Sequence, residues 1–382
     1  MKKSYFMLAA TAALFAACAE TDLVNEVNVV AEPQAIGFET FANKATRTDE
    51  GTSNTALEFH HESFNVWASK QLGVEGNVSY SPVYNPGTVS INTGGEWIAS
   101  PLRFWDKAAL NYYFYAAAPT SATWAYNNTD GDDSEGYLTL ANYKLVGTNL
   151  ATGTASGLVG TWKNKTAADD DKDLMVATKV SRANATFNNN SLNEIQKVDF
   201  TFRHILSKLN IKVKGIDLSD YNATITLNSL DVCNLKCKGS FNDNETEKWN
   251  LEEDVDNLQM TDGESDLTLT ESYVYTHEYL VMPQEVEELE GVMNVGIQPE
   301  SGVYLYIQYT ITTNENGVES SEVFKTYYGL ANIFGAETLE FNEGRQNTLA
   351  VTISPDVIEF EVETDELGWD NTEEVPVESP KL

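Results

Sequence analysis

The run from Val303 to Thr312 constrains the fold more than any other stretch of this sequence. Val303, Leu305, Ile307, Tyr309 and Ile311 alternate with Tyr304, Tyr306, Gln308, Thr310 and Thr312 over ten residues. Successive side chains of an extended strand point to opposite faces, so this period-two pattern predicts a half-buried β-strand. The same pattern recurs at Ala35–Phe41, where Ile36 and Phe38 share one side, and at Leu349, Val351 and Ile353. After Pro355 it returns as Ile358, Phe360 and Val362 between Glu359, Glu361 and Glu363. Between Asp199 and Lys214 the apolar phase changes. Phe200, Phe202, His204 and Leu206 share one parity and Leu209, Ile211 and Val213 the other, which predicts a bulge near Ser207 and Lys208. No stretch sustains a 3.6-residue period. Short strands separated by polar segments (127–133, 183–193 and 242–256) indicate an all-β chain built of β-sandwiches.

At 382 residues the chain is long enough for two or three domains. The Asn-rich stretch Asn184–Asn193, just before the Val198–Val213 block, is the best boundary, and it predicts domains over 48–195 and 196–382. There are 58 acidic against 24 basic residues, for a net charge of −34. Affinity for nucleic acid comes largely from Lys and Arg displacing counterions, so this balance excludes a nucleic-acid partner. Hydrophobic residues at 42% rule out reading the acidity as disorder.

The N-terminus carries its own signal. Lys2 and Lys3 precede an uncharged run of 13 residues, Tyr5–Ala17. As a helix that run spans about 20 Å, short of the roughly 30 Å hydrocarbon core, so it reads as a cleaved signal peptide over 1–17. Ala16-Ala17-Cys18 resembles the lipobox of bacterial lipoproteins, in which the thiol is acylated before cleavage leaves Cys18 first. Phe15 stands where Leu is usual. Downstream, Arg47 and Thr48 lie in a polar segment of the kind proteases cut.

Catalytic patterns are absent. The sequence has no Gly-x-Ser-x-Gly elbow, no phosphate-binding glycine loop and no dinucleotide fingerprint, and His61-Glu62 lacks the second zinc-binding His. No catalytic residue, cofactor or metal site is assigned. The acidic loops Asp130–Asp133 and Asp169–Asp173 offer oxygen ligands, but Gly131 comes too early for a standard Ca²⁺ loop and solvated turns are expected. Cys233 and Cys237 are four apart, about 13 Å on a strand, too far for a disulfide there; they read as small buried hydrophobes. His204 shares a face with Phe200 and Phe202 and reads as a core histidine. Trp97, Trp105, Trp124 and Trp162 read as core or sheet packing, with stacking platforms for a glycan the alternative.

Several segments together carry a family resemblance. They are Cys18, Ile36-Gly37-Phe38 with Ala45-Thr46-Arg47-Thr48, Tyr113–Pro119, Asp173–Ala177, Phe202–Leu209, Tyr279–Gln284, and Asn342–Arg345 leading to Leu367-Gly368-Trp369. In order and spacing the chain resembles the fimbrillin family, the type V pilins of surface fimbriae. The resemblance implies two tandem transthyretin-like Greek-key β-sandwich domains and a role in assembly, not chemistry. It implies an outer-membrane lipoprotein precursor anchored through Cys18. It also implies a propeptide over 18–47, removed by an Arg-specific protease between Arg47 and Thr48. Loss of Ala35–Phe41 would then open a groove for a strand from another fimbrial subunit, with Ile358–Val362 and Glu374–Val377 as candidate donors. A tip or accessory adhesin and a non-polymerising glycan-binding lipoprotein are the alternative readings.

Overall fold

A computed structural model describes residues 34–42, 61–74, 76–145, 173–184, 197–259, 266–289 and 297–365. The regular secondary structure of these residues is nearly all β-strand. The first sheet contains β1 (Gly37–Ala42), β2 (Ser63–Val74), β3 (Asn77–Ile91), β4 (Trp97–Ser100) and β5 (Asn111–Ala118). It is completed by β8 (Met175–Ala177), β9 (Val180–Ala183) and β10 (Lys197–His204). Its pairing runs β2-β3-β4-β1-β10-β8-β5 and returns from β5 to β2, so the sheet closes on itself, with β9 beside β5. Alternation fills its interior: Phe64 and Val66 on β2, Tyr112, Phe114 and Ala116 on β5, and Val198, Phe200 and Phe202 on β10 are all fully buried.

A second sheet joins β14 (Trp249–Leu251), β13 (Lys238–Asn242), β7 (Asp132–Lys144) and β6 (Trp124–Thr129), in that order. The β6–β7 turn is Asp130-Gly131, with φ of 53° and 79° at the two residues, so the segment 127–133 that reads as a linker forms a two-residue hairpin. This sheet accounts for the Tyr113–Pro119 motif. While Tyr112 and Phe114 fill the closed sheet, Tyr115 and Ala117 face outward into the core shared with Trp124, Leu138 and Leu140. Tyr115 Oη donates to Asp133 O at 2.8 Å and accepts from Gly136 N at 3.0 Å, and Trp124 Nε1 donates to Pro119 O at 3.1 Å. A strand buried on both faces has little room for long side chains, hence the run of alanines.

The remaining strands form the second half. β17 (Tyr275–Val281), β11 (Ser207–Gly215), β22 (Gln346–Ile353) and β23 (Ile358–Asp365) make one sheet. β15 (Val255–Gln259), β12 (Ala223–Lys236), β19 (Tyr304–Glu315) and β20 (Val318–Gly329) make another, with β16 (Leu267–Thr268) on β12. Leu209, Ile211, Val213, Leu349, Val351 and Ile353 from the former join Ile225, Leu227, Leu305 and Ile307 from the latter in one core. The period-two face that opened the sequence reading is the buried face of β19. β18 (Gln284–Glu287) and β21 (Thr338–Phe341) form a separate ribbon, and a single helical turn, α1 (Leu330–Ile333), precedes β21.

Two elements differ from the local sequence pattern. The phase change after His204 is not a bulge: β10 ends at His204 in the first sheet and β11 begins at Ser207 in another, so both faces of the pattern are buried in different cores. β10 itself, which the division at residue 195 groups with the second half, pairs as a strand only with β1 and β8 of the first sheet among the described residues. Gln34–Leu382 forms one compact unit, in which β7 from the first half pairs with β13 from the second.

Candidate functional site: the first strand and the slot that holds it

β1 lies between β4 and β10. Its main partner is β10, parallel, in register from Gly37 opposite Lys197 to Ala42 opposite Phe202. On the other side it meets β4 through one antiparallel pair, Phe38 opposite Trp97. Upstream, Ile36 N donates to Arg103 O at 2.9 Å and Trp105 N donates to Gln34 O at 2.9 Å. Every second residue points inward, so Ile36 and Phe38, each 2% exposed, and Thr40, 4% exposed, fill the slot. Glu39 faces outward and pairs with Lys197.

The Phe38 ring sits among four others. It stacks on Phe200 at 6.0 Å with planes 8° apart and meets Phe64, Tyr84 and Phe114 edge-on at 6.0–6.4 Å. Burial pushes the Tyr84 phenol up to about 12, which fixes it as a neutral part of the apolar floor. Burying Ile36 and Phe38 contributes about 1.5–3 kcal/mol each. One feature opposes this. Thr40 Oγ1 is buried with no hydrogen-bond partner among the described residues, a cost of about 1–3 kcal/mol.

Several resemblance motifs converge where β10 hands over to β11. Ile205 N donates to Leu174 O at 3.0 Å, Gly344 N to Leu206 O at 2.8 Å, and Lys208 N to Arg345 O at 2.9 Å. Trp249 Nε1 donates to Ile205 O at 2.7 Å. Arg203 bridges Asp243 at 2.5 Å and Glu343 at 2.6 Å, tying β10 to the β13 hairpin and to the turn before β22. Burial raises the Glu343 carboxyl above its ordinary value, an effect that the Arg203 charge only partly offsets. Gly344 adopts φ 65°, which suits glycine and brings its backbone close to His204. His204 is buried, with Nδ1 3.0 Å from the fully buried Asp173, so it is a paired core residue.

The other sequence candidates are placed as follows. Cys233 and Cys237 are buried free thiols, and burial pushes Cys233 up to about 12. Among the described residues no group of three His, Cys, Asp or Glu is arranged to hold a metal ion. In the Asp130–Asp133 loop, Asp132 accepts from Ser134 and Asp133 from Tyr126 and Asn128. Trp105 and Trp124 are 6% and 8% exposed and Trp97 is half-buried against Phe64 at 5.3 Å, so these three pack instead of presenting open faces. Ile358–Val362 is part of β23 and pairs antiparallel with β22 in the protein's own sheet. Cys18, Arg47, Thr48, Trp162 and Glu374–Val377 lie outside the described residues. The sequence reading missed Thr40, the Phe64–Tyr84–Phe114 floor and the Arg203 bridges, since each depends on partners far along the chain.

The described residues form layered all-β sheets, and none of them makes a group of three His, Cys, Asp or Glu arranged to hold a metal ion. A family model described as fimbrillin-like matches residues 46–366, and the chain belongs to that family. A fimbrial protein from Bacteroides vulgatus shares the fold at 16% identity, with a TM-score of 0.51, over 88% of this chain and 99% of that one. A candidate cell adhesion protein from Bacteroides uniformis aligns over 87% of this chain and 98% of its own at 15% identity and a TM-score of 0.44. No curated protein matches the sequence.

Proposed function

We propose that this protein is a structural subunit of surface fimbriae, exported as a lipoprotein through Cys18 and made competent to polymerise by cleavage after Arg47. The observation that carries this reading is the position of β1. It is a short strand inside a closed sheet, and Arg47 follows its last residue, Ala42, by five positions. A cut there leaves β1 held by non-covalent contacts alone. Its departure would leave the β10 edge from Lys197 to Phe202 without a partner and uncover Phe64, Phe114 and Phe200. Such an edge above an apolar groove accepts an extended segment from another chain.

Two details favour release. Parallel pairing is slightly weaker per residue than antiparallel, and Thr40 leaves a buried hydroxyl unsatisfied, so a strand with an apolar residue at that position would fill the slot better. With Ile358–Val362 engaged in β23, Glu374–Val377 is the preferred donor. The role is adhesive and architectural and needs no catalytic chemistry.

The test treats purified precursor with an Arg-specific protease, sequences the new N-terminus, and runs the product unboiled on denaturing gels. A start at Thr48 with a ladder of stable multimers supports the reading; wild-type polymers from Arg47→Ala would refute the processing step. Unchanged palmitate labelling in Cys18→Ala would refute the anchor.

A further inference from the structure

A cleft of about 2000 Å³ opens in the second half of the molecule, lined by no residue of β1. Small-molecule sites occupy about 300–1,000 Å³, so this one is dimensioned for a polypeptide, not a metabolite. Its floor is apolar and half-buried: Trp249, Leu251, Leu289, Val303, Phe334 and Val362. Strand edges border it. β14 ends its sheet and contributes Trp249 and Leu251, and β23 ends another and contributes Val362 and Thr364. The β18–β21 ribbon has no third strand among the described residues. Edges of this kind carry backbone N–H and C=O groups that an added strand can pair.

The rim fixes the chemistry of the occupant. Glu285, Glu287, Glu288, Glu300 and Glu340 are exposed around it. Glu285 and Glu340 stand directly opposite in the ribbon register, so two like charges share one face, an arrangement that costs stability until a cation neutralises it. The lysines of the lining do not offset this. Lys236 is already paired with Glu253 at 3.1 Å and Lys248 with Asp243 at 3.3 Å. A second copy of the chain, at net −34, would meet its own charge there.

We propose that this cleft takes an extended, lysine- or arginine-rich segment of a different protein, laid in as an added strand. Its apolar side chains rest on the Trp249–Val362 floor and its cationic ones meet the Glu285–Glu340 rim. The site is separate from the β1 slot and, among the described residues, nothing occupies it while β1 is in place, so it is testable on the uncleaved chain.

The experiment measures fluorescence anisotropy of a labelled, strand-length peptide alternating lysine and valine, titrated with the full-length protein. Comparison peptides are its glutamate–valine counterpart and a lysine–valine version with alternate backbone nitrogens methylated. Two double variants are compared: Glu285→Lys with Glu340→Lys on the rim, and Glu319→Lys with Glu322→Lys on the exposed end of the β19–β20 hairpin. The rim variant is expected to raise Kd about tenfold and the hairpin variant to leave it unchanged, with binding weakened by added salt. Methylation is expected to weaken binding by a similar factor, because it removes strand pairing without changing charge. Equal losses in the two variants would mean attraction to the acidic protein as a whole and would overturn the proposal. So would equal binding of the methylated peptide, or no binding of the parent peptide.

Discussion

Replacing Phe38 by Ala tests whether β1 is an integral part of the first core. The side chain is 2% exposed and touches four aromatic rings at 6.0–6.4 Å, so little surrounding structure is free to collapse into the space left. Truncating a buried Phe costs about 3–5 kcal/mol, which already includes the edge-to-face contacts of about 0.5–1.5 kcal/mol each. In the uncleaved protein this loss appears as a lower urea midpoint for the first sheet, followed by the fluorescence of Trp97 and Trp105 beside the slot. After cleavage at Arg47 the same loss would fall on the non-covalent hold, and at about 1.4 kcal/mol per tenfold it would weaken retention of β1 by about two to four orders of magnitude. Glu39→Ala is the control. Its pair with Lys197 is largely solvent-exposed and contributes about 0–1 kcal/mol. If Phe38→Ala changed stability by no more than the control, the view of β1 as a wedged core strand would fail.

Four further outcomes follow from particular contacts. Thr40→Val keeps the shape and removes the unpartnered hydroxyl, so it should stabilise the precursor by about 1 kcal/mol and slow the release of β1 after cleavage; a destabilisation in urea would show that the hydroxyl is satisfied. The raised Glu343 carboxyl takes up its proton more readily in the folded than in the unfolded chain. Its contribution to stability is therefore fully present below the ordinary value of 4.5 and is lost as pH rises through the higher folded value, so the gap between wild type and Glu343→Gln should shift across that window in urea titrations. Cys233, held up to about 12, and Cys237, raised in the same direction, should resist alkylation at pH 8 in the native protein and react only on denaturation, as read by peptide mass mapping. Gly136→Ala places a Cβ 2.4 Å from Tyr126 Oη and 2.8 Å from Tyr115 Cζ, and should lower the thermal midpoint by an amount equivalent to about 1–3 kcal/mol; an unchanged midpoint would refute the crowding.

The sequence is most legible where one strand faces one core. β19, β22 and β23 could be read from alternation because each turns one apolar row toward a single core, as could the inward parity of Ile36 and Phe38. Legibility ends where pairing partners lie far apart. Ile205 and Leu206 carry the chain from one core to the next, and two strands with opposite inward parity look locally the same as one strand with a bulge. The β6–β7 hairpin was within reach, since Asp130-Gly131 is a strong two-residue turn signal that the surrounding polar residues obscured. The parallel pairing of β1 with β10, over a separation of 160 residues from Gly37 to Lys197, has no local signature at all.

The division of labour among the family-like segments follows from this arrangement. Phe202–Leu209, Asp173–Ala177 and Asn342–Arg345 share backbone and side-chain bonds at the handover from β10 to β11, so they hold β10 in place independently of β1. Arg203 is central to this, because it anchors the end of β10 to two loops of the second half. A slot whose far wall is fixed from outside does not have to collapse when its strand leaves. The strand exchange of the proposed function would require this, because an empty groove must persist long enough to be filled. β1 meets β4 through one residue pair, and the segment before it adds two backbone bonds to Arg103 and Trp105, against six residue pairs on β10, so the weaker seam lies on the side without such anchoring. If β1 leaves as the proposed function requires, its release is expected to begin by parting from β4, with β10 remaining as the edge on which an incoming strand would pair.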